Sequence, residues 1–176
     1  MGRREFAEVS AFIVMGVSGC GKSSVAGALA ARTGGIYLDA DDFHPPANKA
    51  KMAAGHPLTD DDRWGWLDAV NAALRAETAA GRVVFTACSA LKQVYRDRLA
   101  TGLPALRFIY LKGSKELIRE RLSHRANHFM PPALLDSQFA TLEEPTDAIT
   151  VSIDAPLETV VEGVLARLDQ ASDISR

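Results

Sequence analysis

The stretch Gly16-Val17-Ser18-Gly19-Cys20-Gly21-Lys22-Ser23 constrains this chain more than any other. It matches the pattern G-x-x-x-x-G-K-[ST] at every fixed position. Its surroundings match too. The apolar run Phe12-Ile13-Val14-Met15 precedes it, and Lys22 to Arg32 follows with Val25, Ala28 and Leu29 on one helical side. Glycines let backbone N–H groups turn inward and wrap phosphate oxygens. A helix that begins there adds the positive end of its dipole. Lys22 is then placed to reach the β and γ phosphates as a point charge. Ser23 is placed to set its hydroxyl on Mg²⁺. A loop of this kind needs a strand before it and a helix after it.

The rest of the chain continues that pattern. Ile36-Tyr37-Leu38, Arg82-Val83-Val84-Phe85, Leu106 to Leu111 and Ile149 to Ile153 read as further short strands. Leu67, Val70 and Leu74 follow Trp64 at helical spacing, and Leu117, Ile118, Arg121 and Leu122 fit one helix face. Leu157, Val160, Val161, Val164, Leu165 and Leu168 form an i, i+3, i+4, i+7 stripe, so the chain closes with a helix. Strands alternating with helices predict βαβ units and a mainly parallel sheet. The expectation is one three-layer α/β/α domain over residues 1–176 with a five-stranded parallel sheet. The 176 residues, 47% hydrophobic and 24% charged, suffice for one real core.

Composition removes several classes of function. Lys and Arg total 20 and Asp and Glu total 22, so no global basic field points to nucleic acid or an anionic membrane. The longest apolar run, Ala11 to Val17, is far shorter than a membrane span. Two cysteines, Cys20 and Cys88, make neither a disulfide framework nor a zinc knuckle. The expected setting is cytoplasmic, without nucleic-acid or membrane partners. A guanine-reading N-K-x-D is missing, since Asn48-Lys49 is followed by Ala50-Lys51. The size favours a kinase that acts on a small molecule.

The acceptor side is sought beyond the carboxyl ends of the other strands, where open α/β sheets form their ligand crevice. Leu38-Asp39-Ala40-Asp41-Asp42 ends the second strand, and alternation puts Asp39 and Asp41 on one side. One carboxylate can hold Mg²⁺ through water and the other can take a proton from an acceptor hydroxyl. A solvated acidic turn has the same spacing. In Thr59-Asp60-Asp61-Asp62-Arg63, Thr59 reads as a helix N-cap and the aspartates as first-turn residues that suit the dipole. Arg63 gains nothing from that dipole, and either clamps an anionic substrate or sits in a surface ion pair. Ser89 and Lys92 follow the third strand and are crevice candidates for polar and anionic groups; a solvated helix lysine is the other reading of Lys92. Arg121 and Arg125 are four apart, the spacing of one helix face, and suit the charge of a triphosphate. His128-Phe129-Met130-Pro131-Pro132 reads as a loop within a lid of about residues 122–135, one that would exclude water from the reaction.

Several strings together carry a resemblance. They are MGVSGCGKS (Met15 to Ser23), DADDFHPPANKAKMAAGHPLTDDDRWGWL (Asp39 to Leu67), CSALKQVYRD (Cys88 to Asp97), FIYLKG (Phe108 to Gly113) and HFMPPALLDSQFATLEEP (His128 to Pro145). Through them the chain resembles the gluconokinases, P-loop kinases related in fold to shikimate kinase and the nucleoside monophosphate kinases. The resemblance implies transfer of the γ-phosphoryl of ATP to the 6-hydroxyl of D-gluconate, with Mg²⁺ and in a homodimer. It implies that Gly16, Val17, Ser18, Gly19, Cys20, Gly21, Lys22, Ser23 and Ser24 hold ATP and Mg²⁺. Asp41 would orient or deprotonate the acceptor hydroxyl, and Asp39 would support the metal through water. His44, Arg63, Ser89, Lys92, His128 and Gln138 would line the sugar-acid pocket. Arg121 would lie beside the adenine, Arg125 near the transferred phosphate, and the Asp154-Ala155-Pro156 loop would flank the base. Gly65 is unexpected inside a helical pattern, and close packing or a bend would explain it.

Overall fold

The computed structural model describes residues 11–124 and 132–174. Five strands form one parallel sheet: β1 (Ala11–Met15), β2 (Ile36–Asp39), β3 (Val84–Ala87), β4 (Arg107–Lys112) and β5 (Ile149–Ser152). Their order is β2-β3-β1-β4-β5. The helices are α1 (Lys22–Thr33), α2 (Pro46–Ala53), α3 (Asp60–Ala79), α4 (Gln93–Leu99), α5 (Lys115–Ser123), α6 (Pro132–Thr141) and α7 (Leu157–Ile174). A short 3-10 turn, Ala40–Phe43, follows β2. This is the three-layer α/β/α domain that the alternating pattern predicts.

Strand alternation divides the core into two layers. Phe12 and Val14 of β1 join Phe85, Ile109 and Leu111 beneath α1, α5 and α7, where Val25, Leu29, Ile118, Val160 and Val164 are buried. Ile13 and Met15 point the other way, onto Trp66, Leu67, Val70 and Leu74 of α3 and Tyr95 and Leu99 of α4. Every residue of β1 is buried, as a central strand covered on both faces must be.

Boundaries moved where a turn outweighed the apolar pattern. The expected strand at 82–85 begins at Val84, because the Arg82 amide donates to Glu77 O and Gly81 closes α3 at φ 76°. Helices α2, α4 and α6 are short and were not marked by periodicity. The Asp154–Pro156 segment lies between β5 and α7.

The register sets the crevice. Asp39 pairs with Ala87, and Val14 pairs with the same Ala87 from the other side. So the carboxyl ends of β2, β3 and β1 lie side by side, at strand spacings of about 5 Å. The loops that leave them share one edge of the sheet. Among the described residues no helix is long and apolar enough to cross a membrane.

Candidate active site

The loop from Gly16 to Gly21 leaves β1 and enters α1. Gly16 has φ 148°, and a Cβ there would come within 2.7 Å of Cys20 Sγ and 3.0 Å of Leu111 O. Gly21 is the N-cap of α1 in the left-handed region, at φ 94°. No side chain caps this helix and no acidic residue stands in its first turn. Helix α3, by contrast, is closed by a reciprocal Thr59–Asp62 capping box. The open amides of α1, with Lys22, Ser23 and Ser24 in its first turn, form a donor set suited to phosphate. Lys22 Nζ donates to Val17 O at 3.0 Å.

Other segments fasten the loop. Gly16 N donates to Ser89 O at 3.3 Å, which ties it to the end of β3. Gln138 of α6 accepts from Ser18 N at 2.6 Å and donates to Ser18 Oγ at 2.8 Å. Gln138, expected among the sugar-acid contacts, thus grips the phosphate loop in this structure. Gly19 packs against Leu122 of α5. Cys20 is buried, and burial raises its thiol pKa, so it acts as a small packed side chain. Arg121 of α5 donates to the carbonyls of Ile153 and Ala155, which fixes it against the loop that ends at Pro156.

The acidic turn after β2 faces this loop. Asp39 caps the 3-10 turn, its Oδ1 accepting from Asp41 N at 2.9 Å. The turn therefore breaks the strand alternation expected for Asp39 and Asp41. Partial loss of water and then the negative charge of Asp39 push the Asp41 pKa up, while Lys22 and His44 pull it down. The charge of Lys22 reaches Asp41, in keeping with the shared carboxyl edge that the β1–β3–β2 register sets. Tyr37, two residues before Asp39 on the same strand face, donates to Asp39 Oδ2 at 3.4 Å.

His44 is buried and stacks on Trp66, with ring centroids 4.1 Å apart and 16° between planes. Its Nε2 stands 4.0 Å from Asp41 Oδ1. Trp66 Nε1 donates to Ala40 O at 2.6 Å, holding the acidic turn onto α3.

A cationic cluster joins the start of α3 to the segment that enters α4. Lys92 Nζ donates to both oxygens of Asp60 at 3.2 and 3.3 Å, and Tyr95 Oη donates to Asp60 Oδ1 at 2.5 Å. The Arg63 guanidinium and the Lys92 ammonium lie 5.4 and 5.6 Å from the centre of the Tyr95 ring. Arg63 Nη2 donates to Leu58 O at 3.2 Å, and its Nε is buried with no hydrogen-bond partner among the described residues. Among the described residues Arg63 makes no ion pair, and Lys92, partly exposed, pairs with the partly exposed Asp60. Asp60 is also more than a first-turn acid. Asp62 does close the capping box, and Asp61 accepts from Trp64 Nε1 at 3.2 Å. Sequence reasoning missed Tyr37, Asp60 and Tyr95. The i, i+2 spacing of Tyr37 and Asp39 was a usable signal, whereas nothing local joins Asp60 to a partner 35 positions away. Arg125 and His128 lie outside the described residues.

The fold and this crevice define a P-loop kinase of the small-molecule type. A family model described as an AAA domain matches residues 12–145. The thermoresistant gluconokinase of Escherichia coli (strain K12) is 48% identical over 158 residues, covering 88% of this chain and 90% of that protein. The gluconokinase of Gluconobacter oxydans is 43% identical, covering 92% of each chain. The crystal structure of a gluconokinase from Sinorhizobium meliloti 1021 matches at TM-score 0.85 and 43% identity, covering 94% of this chain and 95% of that one. A shikimate kinase from Bacteroides thetaiotaomicron, at TM-score 0.65 and 16% identity, shares the fold. The chain belongs to the gluconokinase family.

Proposed function

We propose that this protein transfers the γ-phosphoryl group of ATP to the 6-hydroxyl of D-gluconate, giving 6-phospho-D-gluconate and ADP. The observation that carries this reading is the sheet register that sets the phosphate loop after β1 and the Asp39–Asp41 turn after β2 on the same carboxyl edge, in a chain of this family. Gly16 to Ser24 hold the phosphates through backbone amides, and Lys22 neutralises charge on the transferred group. Asp41, with its pKa raised, orients the acceptor hydroxyl and takes its proton. Arg63, Ser89, Lys92, His44 and His128 line the sugar-acid pocket, and Gln138 borders it from the phosphate loop. Arg121 and Pro156 frame the adenine, and Arg125 acts near the transferred phosphate from a lid of about residues 122–135.

Mg²⁺ fits this donor set. Among the described residues no group of three or more His, Cys, Asp or Glu is built to hold a metal alone. Mg²⁺ keeps its waters and binds through phosphates plus one or two protein oxygens. Ser23 would supply one such oxygen directly and Asp39 another through water. When bound, the ion would neutralise charge on the β- and γ-phosphates. We further expect a cytoplasmic homodimer.

The test is ADP formation with Mg·ATP against D-gluconate, shikimate, glucose and no acceptor. Turnover with D-gluconate alone is expected. Turnover with another acceptor would keep the kinase and overturn its specificity. ATP binding without acceptor-dependent turnover would favour a regulatory nucleotide-binding module.

A further inference from the structure

His44 faces the acceptor turn through Nε2, and its other ring nitrogen is held by Asn48 of α2. Asn48 is buried, and its side-chain nitrogen lies 2.8 Å from Asp62 O and 3.3 Å from His44 Nδ1. A backbone carbonyl can only accept. The atom facing it must therefore be the amide nitrogen, which removes the usual ambiguity of an asparagine side chain. An amide nitrogen can only donate, so the Nδ1 it meets must be the unprotonated, accepting nitrogen. The proton of a neutral imidazole then sits on Nε2. An imidazolium would set N–H against N–H at Asn48. The same amide is anchored through Asp62, which closes the Thr59 capping box and accepts from Lys51 Nζ at 2.5 Å. Among the charges felt by the ring, Asp41 favours the imidazolium and Arg63 and Lys49 oppose it. Burial is the largest influence on the ring and lowers its pKa, in line with a neutral imidazole. Trp66 stacks flat on the ring.

We propose that Asn48 is a positioning residue that fixes His44 as the Nε2–H tautomer, so that His44 meets the acceptor as a hydrogen-bond donor. This rests on the reading of His44 as part of the sugar-acid pocket. It assigns a chemical requirement to that contact: the substrate atom at His44 is an oxygen that accepts. Asn48 itself touches no substrate.

The experiment records long-range proton–nitrogen correlations of the imidazole rings in the ¹⁵N-labelled full-length chain at neutral pH. The His44 signals are assigned by their loss in His44→Gln. The unaltered protein is expected to show protonated Nε2 and bare Nδ1. In Asn48→Asp the new carboxylate accepts from Nδ1–H, so the ring should change tautomer or become charged. With Mg·ATP and D-gluconate, a switch to the Nδ1–H tautomer removes the Nε2 donor and should raise KM for gluconate about tenfold while KM for ATP stays within about twofold. A charged ring keeps Nε2–H and should leave gluconate KM within about twofold; a rise of about tenfold with a charged ring would overturn the proposal. Asn48→Ala, which removes the donor without adding charge, should show mixed tautomers and a smaller rise. Nδ1–H in the unaltered protein would overturn the proposal, and that result needs no variant to fold. So would a switched tautomer in Asn48→Asp with gluconate KM unchanged. The spectra decide the role of Asn48 whatever the acceptor is. Absence of gluconate turnover by the unaltered chain would overturn the substrate reading instead.

Discussion

The two walls of the crevice are built in different ways. The nucleotide side is one continuous segment, Gly16 to Ser24, whose working groups are mostly backbone amides set by glycine conformations and by the start of α1. The acceptor side is assembled from the β2 end, α2, α3 and the segment around α4, and its working groups are side chains held by other side chains. His44 depends on Asn48 and Trp66, and Lys92 depends on Asp60. A backbone site can be written as a short motif. A side-chain site of this sort is fixed only once the sheet has brought its parts together.

The strongest challenge to this contrast is Lys22→Ala. It removes the one side-chain cation of the phosphate loop and should lower kcat by about 10³-fold or more. Near-normal kcat would mean that backbone amides alone carry the phosphate charge. Asp41→Asn comes next. It keeps the shape and removes the base, so kcat should fall by about 10²–10⁴-fold with little change in ATP affinity. Isothermal titration with a non-hydrolysable ATP analogue separates the two effects. If ATP binding weakened as much as kcat fell, Asp41 would belong to the nucleotide wall.

Arg63→Ala and Lys92→Ala sharpen the division. Each should raise gluconate KM by about tenfold or more, as expected for loss of a charge-assisted contact, and leave ATP KM nearly unchanged. Steady-state kinetics with each substrate varied in turn is the check. A rise confined to ATP KM would put these cations on the other wall.

What was legible in the chain follows the same line. The α/β/α architecture was open to reading because β1 is apolar throughout and α7 carries a long stripe. The phosphate loop was legible because motif and strand–helix context coincide within about twenty residues. Asp39, Asp41, Arg63, Ser89 and Lys92 could be named as candidates, since each stands at or just after a strand's carboxyl end or at a helix start. Their partners could not. Tyr95 and Asp60 are joined across 35 positions, and Ser18 and Gln138 across 120. No periodicity encodes such pairs. The alternation argument also failed at Asp41, because the Asp39 cap turns the strand into a 3-10 turn.

A smaller effect is expected from acid. The Asp62 carboxylate accepts from Lys51 and from the Thr59 amide, which draw its pKa down from 3.8 to about 2. A folded pKa below the unfolded value stabilises the native state above the unfolded pKa. That contribution is lost as pH falls through the folded one. The stability difference between the unaltered chain and Asp62→Asn should therefore be greatest above about pH 4 and close toward about pH 2. Urea unfolding at stepped pH measures it. A pH-independent gap would mean that the neutral hydrogen bonds of the cap carry the whole effect. The acceptor wall would then be anchored without help from charge.

The smallest change tests whether α3 gives up stability for room. Gly65 stands between Trp64 and Trp66 inside the helix, where glycine costs about 1 kcal/mol relative to alanine. Close packing does not explain it. The residue is exposed, and a Cβ there would meet nothing within 4 Å. Gly65→Ala should therefore raise the melting temperature by about 2–4 °C, the shift that about 1 kcal/mol gives at this chain length. Gluconate KM decides what the glycine is for. An unchanged KM with the higher melting temperature makes Gly65 a plain loss of helix propensity, and the acceptor wall then ends at Arg63 and Trp66. A raised KM with the same melting gain means that a bound acceptor approaches the bare backbone of α3. The acceptor wall would then share with the phosphate loop a dependence on a missing side chain.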